Sequence, residues 1–292
     1  MCEKPTFNPL LIDYDDLPPP ASKSTRPGLK SAAEKPAEEE LRTLLLRSLL
    51  AGGLAGCVVD AALFPLDTAK TRLQARRGLW QGRLYAGLQS EMLASFPCAA
   101  TFWATYNTAK WALADRLSGA SLHLTSACLG SVAMSLVRAP FEVVKQQLQV
   151  GHHCNSSSAL LSILTRRGLF GLFAGLDSLI LRELPFDAIQ FLIYEHLRSE
   201  DSGLASHLLH GAVAGGCAAF LTCPIDVVKT RLMTQTQVEY SGVVNALGQI
   251  YRTEGVAGLW RGCGVRLLYT SLGGLLMFGT FEMLTPLLQQ FE

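Results

Sequence analysis

Long apolar segments alternate with short polar ones along residues 41–288 of the chain. Each apolar segment is long enough to cross a bilayer as a helix, which takes about 20 residues. Because the backbone in lipid must satisfy its own hydrogen bonds, the pattern predicts an all-α membrane protein with six transmembrane helices. The predicted spans are 43–73, 88–113, 121–149, 178–198, 204–233 and 264–288.

The composition supports a membrane protein and excludes several other classes. Of the 292 residues, 49% are hydrophobic and 17% are charged, whereas soluble domains carry about 25% charged residues. The net charge of +1 gives no reason to expect a nucleic-acid partner. None of the eight Cys falls at C-x-x-C spacing, and no H-x-x-x-H pair or Gly-rich phosphate loop appears. We therefore expect no metal, no cofactor and no enzyme.

Residues 1–40 differ from the rest of the chain. They hold seven of the thirteen Pro and eight carboxylates against five basic side chains. Such a segment cannot bury enough apolar surface to offset its ordering entropy, so we expect a disordered tail. Its acidity is not typical of a transit peptide.

Three repeats follow the tail. The strings Pro65–Lys70, Pro140–Lys145 and Pro224–Lys229 share a Pro, an acid two residues on and a Lys five residues on. A second marker, an aromatic residue two positions before a Gly, recurs at Gly87, Gly175 and Gly262, at intervals of 88 and 87 residues. We divide the chain into a tail and three repeats with the bounds 1–40, 41–120, 121–203 and 204–292.

The Pro motif predicts a gate at the inner side of a central cavity. Pro kinks an apolar helix, and charges at membrane depth must face the interior and pair. Threefold symmetry predicts the cyclic pairs Asp67–Lys145, Glu142–Lys229 and Asp226–Lys70. Gln74 and Gln149, which close two of the motifs, are placed to hydrogen-bond across this inner gate, whereas Met233 in the third is not.

A weaker outer gate is predicted at the other end of the cavity. Twenty residues after each marker Gly the even-numbered spans carry a second polar position, which holds Asn107, Glu195 or Glu282. The predicted pairs are Lys110–Glu195 and Arg198–Glu282, with Asn107 and Thr285 as a neutral third pair. Two such rings suit alternating access; the alternative is a static polar plug that only orients the helices.

These features resemble the mitochondrial carrier family. The likeness rests on three copies of P-x-[DE]-x-x-K, the aromatic-x-Gly markers and six apolar spans, and it covers residues 41–288. It implies six transmembrane helices with short inner-face helices, and transport of a small solute across the mitochondrial inner membrane. Met233, Asn107 and Thr285 depart from the family pattern.

Charges that differ between repeats point to the substrate. Arg182 and Glu183 stand seven residues after the second marker Gly, and Asp60 and Arg138 lie shortly before kink prolines. Together they suit a zwitterion with an extra positive charge, in which Arg binds a carboxylate and the carboxylates bind the cations. The alternative is private pairing, for instance of Asp60 with Arg138.

Short strings around these residues resemble the S-adenosylmethionine carriers within that family, which implies exchange of S-adenosylmethionine for S-adenosylhomocysteine. The substrate contacts carried over are Asp60, Phe96, Arg138, Arg182, Glu183, Gln190 and Tyr269. We expect a monomer in a lipid bilayer that includes cardiolipin. A carrier for a basic amino acid or a nucleotide, and a repeat protein that does not transport, stay open as alternatives.

Overall fold

The described part of the chain is helical and contains no strand. The structure is a computed structural model that describes residues 56–79, 82–114, 116–197, 204–236, 239–273 and 276. Its helices are α1 (56–74), α2 (Leu88–Leu113), α3 (Gly119–Gln149), α4 (Ser156–Arg167), a 3-10 turn (Leu169–Phe173), α5 (Leu176–Leu197), α6 (Leu204–Leu221), α7 (Cys223–Thr234), α8 (Val243–Leu259) and α9 (263–273).

The described helices follow the predicted segments closely. The predicted span 88–113 has the bounds of α2, and the spans 121–149 and 178–198 agree with α3 and α5 to within two residues. Short helices α4 and α8 occupy the polar connections within the second and third repeats. The tail, 1–40, and the outer parts of the first and sixth spans lie outside the described residues.

The third repeat breaks at its kink proline, whereas the first two continue as helices. Pro65 and Pro140 lie inside α1 and α3. In the third repeat the helix ends at Leu221, and α7 begins at Cys223 with Pro224 in its first turn, where no backbone N–H is needed. The predicted span 204–233 is therefore two helices, which meet at 63°.

Length and apolar composition mark one described helix, Ser121–Gln149, as able to cross a membrane. The number rises to three if each of two bent helix pairs forms one span: α6 with α7, and α4 with most of α5 at 116°. Six transmembrane helices and three repeats remain a prediction.

Two apolar clusters hold the short helices against the long ones. In the first, Val143 and Met233 pack with Ile163 of α4 and Leu179 of α5. The second cluster joins α7, α8 and the start of α9, and it includes Val227, Ile250 and Leu259 among other buried residues. Both clusters lie next to the Pro motifs, so they fix the positions of the charged residues there.

The marker glycines lie where one repeat contacts the next. Gly87, Gly175 and Gly262 all have positive φ, between 78° and 96°. A Cβ on Gly87 would stand 3.0 Å from the carbonyl oxygen of Lys145, and one on Gly262 would stand 3.2 Å from Gln74 Cγ. Both the backbone conformation and the close approach require Gly.

Candidate functional site

Three buried ion pairs connect the three Pro motifs in a closed ring, which we call the inner ring. The acid and the Lys of each motif are three residues apart, so they lie on one face of the helix about one turn apart. Each acid contacts the Lys of a different repeat. The pairs and their N–O distances are Asp67–Lys145 (3.2 Å), Glu142–Lys229 (2.9 Å) and Asp226–Lys70 (2.8 Å). These are the pairs that threefold symmetry predicts.

Two glutamines brace the inner ring, and the third position leaves a gap. Gln74 Nε2 donates to Asp226 Oδ2 at 2.8 Å, and Gln149 Nε2 donates to Asp67 Oδ2 at 2.9 Å. The equivalent Met233 is fully buried among apolar side chains. Glu142 Oε1, which a third brace would reach, accepts instead from Gln146 Nε2 of its own helix at 2.9 Å.

A second ring of hydrogen bonds lies one helical turn beyond the first, and the sequence did not reveal it. Its donors are the residues two positions after each motif Lys, and its acceptors are backbone carbonyls of the neighbouring repeat. These carbonyl bonds run from Arg72 to Gln149 (2.8 Å), from Gln147 to Met233 (2.9 Å) and from Arg231 to Gln74 (3.1 Å). They satisfy helix-end carbonyls that have no partner within their own helix.

The loop between α3 and α4 extends this second ring through His152. Arg77 lies 2.7 Å from His152 Nε2, and His152 Nδ1 lies 2.8 Å from Gln147 Oε1. Because Arg only donates, Nε2 must accept, and Nδ1 carries the proton and donates to Gln147. Burial, together with Arg77 and His153, lowers the pKa of His152 from 6.5 to about 4.

Glu254 of α8 receives arginines from several segments. It pairs with the guanidinium of Arg231, and Arg76 and Arg261 lie 3.6 and 3.5 Å away. The hydrogen bond from Arg231 holds the pKa of the Glu254 carboxyl below its usual value. This cluster ties α8 to α7 and to the end of α1.

Glu91 of α2 joins the predicted substrate residue Arg138 to the inner ring. Its carboxylate oxygens lie 2.9 Å from Lys145 Nζ and 3.1 Å from Arg138. Arg138 also lies 3.7 Å from Glu142. Arg138 is therefore paired within the protein, and its partner is Glu91 rather than Asp60.

Arg182 and Glu183, predicted substrate residues that are adjacent in the chain, pair with each other. Arg182 also lies 3.7 Å from Asp226 of the inner ring. Arg266 of α9, which the sequence analysis missed, lies 3.7 Å from the same Asp226 and donates to Thr222 Oγ1 at 2.7 Å. Asp226 therefore lies within 4 Å of three cations from different helices, Lys70, Arg182 and Arg266.

Two carboxylates of this region lack a cation. Among the described residues, no Lys, Arg or His nitrogen lies within 4 Å of Asp60 or of Asp187. Asp187 accepts a hydrogen bond of 3.3 Å from Ser131. Asp60 was predicted to contact the substrate, whereas Asp187 was not singled out.

The remaining predicted substrate residues are placed differently from one another. Gln190 lies on the same face of α5 as Glu183, seven residues further on. Tyr269 is half-buried and stands three residues after Arg266, on the same face of α9. Phe96 is 57% exposed and, five residues after Glu91, lies about 140° around α2 from it. The structure therefore does not bring Phe96 to the charged cluster.

The predicted outer gate falls largely outside the described residues. Lys110 stands in the last turn of α2, and Glu195 belongs to the last turn of α5. The side chain of Glu195 and the residues Arg198 and Glu282 lie outside the described part of the chain. Their pairing stays a prediction.

Comparison with known proteins agrees with the resemblance. The family model for mitochondrial carrier proteins matches residues 42–83, 118–200 and 200–292. A probable S-adenosylmethionine carrier 2, chloroplastic, of Arabidopsis thaliana is 40% identical, with 85% of this chain and 76% of the relative covered. The S-adenosylmethionine carrier 1, chloroplastic/mitochondrial, of the same plant is 43% identical, with 82% and 78% covered.

A relative from an animal is about as similar to this chain as the two plant carriers are. The mitochondrial S-adenosylmethionine carrier protein of Xenopus tropicalis is 41% identical, with 82% of this chain and 96% of the relative covered. The family model covers most of the chain, and the ring of paired Pro motifs is the structural counterpart of that match. The chain belongs to the mitochondrial carrier family.

Proposed function

We propose that this protein exchanges S-adenosylmethionine for S-adenosylhomocysteine across the mitochondrial inner membrane by alternating access. Members of its family are transporters rather than enzymes. Several relatives at about 40% identity are named as S-adenosylmethionine carriers. Those names support the substrate, while the exchange partner follows from the resemblance.

The observation that carries the proposal is the closed inner ring beneath a group of asymmetric charges. A ring of three inter-repeat ion pairs blocks passage while it is closed, and separation of the repeats opens it. Once the ring opens, water solvates each separated charge. Opening the ring therefore costs less than separating a packed apolar plug of the same size. The ring therefore serves as the inner gate of the transport cycle, and Lys110, Glu195, Arg198 and Glu282 serve as the outer one.

The charges above the ring suit the parts of S-adenosylmethionine. The substrate carries a carboxylate, an ammonium, a sulfonium and an adenine. Its carboxylate competes with Glu183 for Arg182, which is already held beside the ring by Asp226. Asp60, which has no cation within 4 Å among the described residues, takes the ammonium.

The setting of the protein follows the family. We place it as a monomer with six spans and three repeats in a bilayer that includes cardiolipin, preceded by the 1–40 tail. Relatives are named mitochondrial or chloroplastic, and the inner mitochondrial membrane is the location we propose.

Counter-exchange in proteoliposomes tests the function. Vesicles holding purified protein are preloaded with S-adenosylmethionine, S-adenosylhomocysteine or arginine, or left empty, and uptake of radiolabelled S-adenosylmethionine is followed. We expect saturable uptake with the first two preloads only. Uptake that does not depend on preload contradicts exchange, and exchange of arginine without S-adenosylmethionine contradicts the substrate.

A pair of variants connects the uptake to the site. Glu183→Gln removes a carboxylate that binds a substrate cation once the substrate carboxylate has taken Arg182, and it should reduce uptake at least tenfold, the effect of about 1.4 kcal/mol. Glu239→Gln, an equivalent change at an exposed loop residue, should transport like the parent. Equal uptake by the two variants would remove Glu183 from the site.

A further inference from the structure

Asp187 lies in the middle of the polar face of α5. It stands four residues after Glu183 and three before Gln190, so the three side chains follow one another along one side of the helix. Glu183 is buried next to the inner ring, and Asp187 is exposed one turn further away from it. Asp187 therefore continues the line of predicted substrate contacts away from the gate.

A hydrogen bond from Ser131 shows that this face of α5 lies against α3. Ser131 belongs to α3, is itself buried, and donates to Asp187 Oδ2 at 3.3 Å. A charge at membrane depth is costly in lipid and is found facing the protein interior or a water-filled cavity. The exposed carboxylate of Asp187, held by α3, thus faces the cavity between the helices.

Asp187 also differs from the neighbouring Glu183 in its charge balance. Glu183 is neutralised by Arg182, whereas no cation of the described residues lies within 4 Å of Asp187. The positions equivalent to Asp187, twelve residues after the other marker glycines, hold Ala99 and Gly274. An unneutralised charge found in one repeat alone cannot belong to a symmetric gate, so it is available to an asymmetric ligand.

We propose that Asp187, with Ser131, forms a subsite for the sulfonium group of the substrate and distinguishes it from a neutral thioether. An ammonium needs several hydrogen-bond acceptors, but a sulfonium has no N–H and needs only a nearby negative charge. Asp187 supplies that charge, while one of its carboxylate oxygens already accepts the hydrogen bond from Ser131. This inference rests on the proposed transport of S-adenosylmethionine.

The test compares a charged and a neutral substrate in the same vesicles. Asp187→Asn is reconstituted, and the half-saturation concentrations for S-adenosylmethionine and for S-adenosylhomocysteine are measured in homo-exchange. We expect the value for S-adenosylmethionine to rise about tenfold and the value for S-adenosylhomocysteine to change less than about threefold. Asp187→Glu, which keeps the charge, should recover most of the preference.

The controls separate this subsite from folding and from the transport proposal. Asp177→Asn removes a carboxylate from the first turn of the same helix, where it accepts from the Ser178 backbone N–H, and should leave the ratio of the two values unchanged. Thermal unfolding in detergent tests whether each variant folds. If Asp187→Asn does not fold, Asp187→Ser is measured in its place.

Two results would overturn the inference. The first is an equal rise of both half-saturation concentrations in a folded variant. The second is that neither half-saturation concentration changes. By contrast, a parent protein that transports neither compound contradicts the proposed function itself.

Discussion

Arg231 of α7 donates a hydrogen bond from Nε to the backbone carbonyl of Gln74, 157 residues away, at 3.1 Å. The same helix end therefore contributes twice to the junction, because the side chain of Gln74 braces Asp226 while its carbonyl receives Arg231. The three carbonyl bonds hold the repeats together independently of the side chain that stands nine residues after each motif Pro. In the third repeat, where Met233 stands at that position, its carbonyl still accepts from Gln147.

Arg72 should contribute most to this second ring. It is 1% exposed and donates to the carbonyls of Gln149, Leu79 and Arg83 at 2.8–2.9 Å. Arg72→Gln should lower the free energy of unfolding by about 2 kcal/mol or more, because buried carbonyls lose charged donors. Thermal unfolding in detergent measures it. Arg83→Gln, whose side chain is exposed, is the matched control; equal shifts would contradict the prediction.

Met233→Gln should complete the set of braces. Gln74 and Gln149 each donate to the carboxylate oxygen that also holds a motif Lys. By the same symmetry a Gln at this position donates to Glu142 Oε1, beside Lys229. We expect about 1 kcal/mol of added stability and slower exchange, because the closed gate gains a bond.

Met233→Leu is the control for this change, since it alters the packing without adding an amide. Thermal unfolding and initial uptake rates compare the two variants. A Gln variant that is less stable than the Leu variant would show that the amide does not reach Glu142.

Asp226→Asn should be more damaging than Asp67→Asn. Among the described residues, Lys70 and Arg266 have no other carboxylate within 4 Å, so both lose their counter-charge. Lys145, the partner of Asp67, retains Glu91 and Glu142. Loss of a buried partner costs about 3–5 kcal/mol, and we expect that cost in full only at Asp226. Parallel thermal unfolding of the two variants decides it; a larger loss at Asp67 would be contrary to the described contacts.

His152 should make the protein less stable in mild acid. Its folded pKa of about 4 lies below the 6.5 of an exposed His, so between these values the unfolded chain binds more protons. The free energy of unfolding therefore falls as the pH is lowered from 6.5 towards 4, and it is unaffected by His152 above 6.5.

His152→Gln should flatten this part of the curve, since Gln is able both to accept from Arg77 and to donate to Gln147. Thermal unfolding in detergent at several pH values measures the slope, with His196→Gln as the control. Identical slopes for the parent and His152→Gln would contradict the prediction.

The inner ring was predictable because repetition supplies what a single motif does not. One Pro-x-acid-x-x-Lys string leaves the partner of each charge open, but three at equal depth around one axis allow only two cyclic pairings, one in each direction. Asp226–Lys70 and Asp67–Lys145 belong to one of these two rings. The bounds of α2 and α5 followed equally well, because each of these apolar runs begins just after a marker Gly, Gly87 or Gly175.

The features that were missed break the symmetry or use the backbone. Glu91 and Arg266 occupy equivalent positions four residues after a marker Gly, and comparison at that offset, rather than only at seven, would have found both. The carbonyl bonds of Arg72 carry no sequence signal, because any residue supplies the acceptor. The break at Thr222 also has no counterpart at the other two prolines, which share its motif.

The bare backbone of the marker glycines has a consequence for how the gate moves. A side chain buried in a pocket of the next repeat would have to be withdrawn before the two repeats could move apart. Gly87 and Gly262 place no side chain between the repeats. At these two glycines the repeats can therefore separate without withdrawing a side chain from a pocket. Each marker Gly belongs to a different pair of repeats, so a methyl group added at Gly87 would strain the contact with Lys145 and leave the contact of Gly262 with Gln74 unchanged.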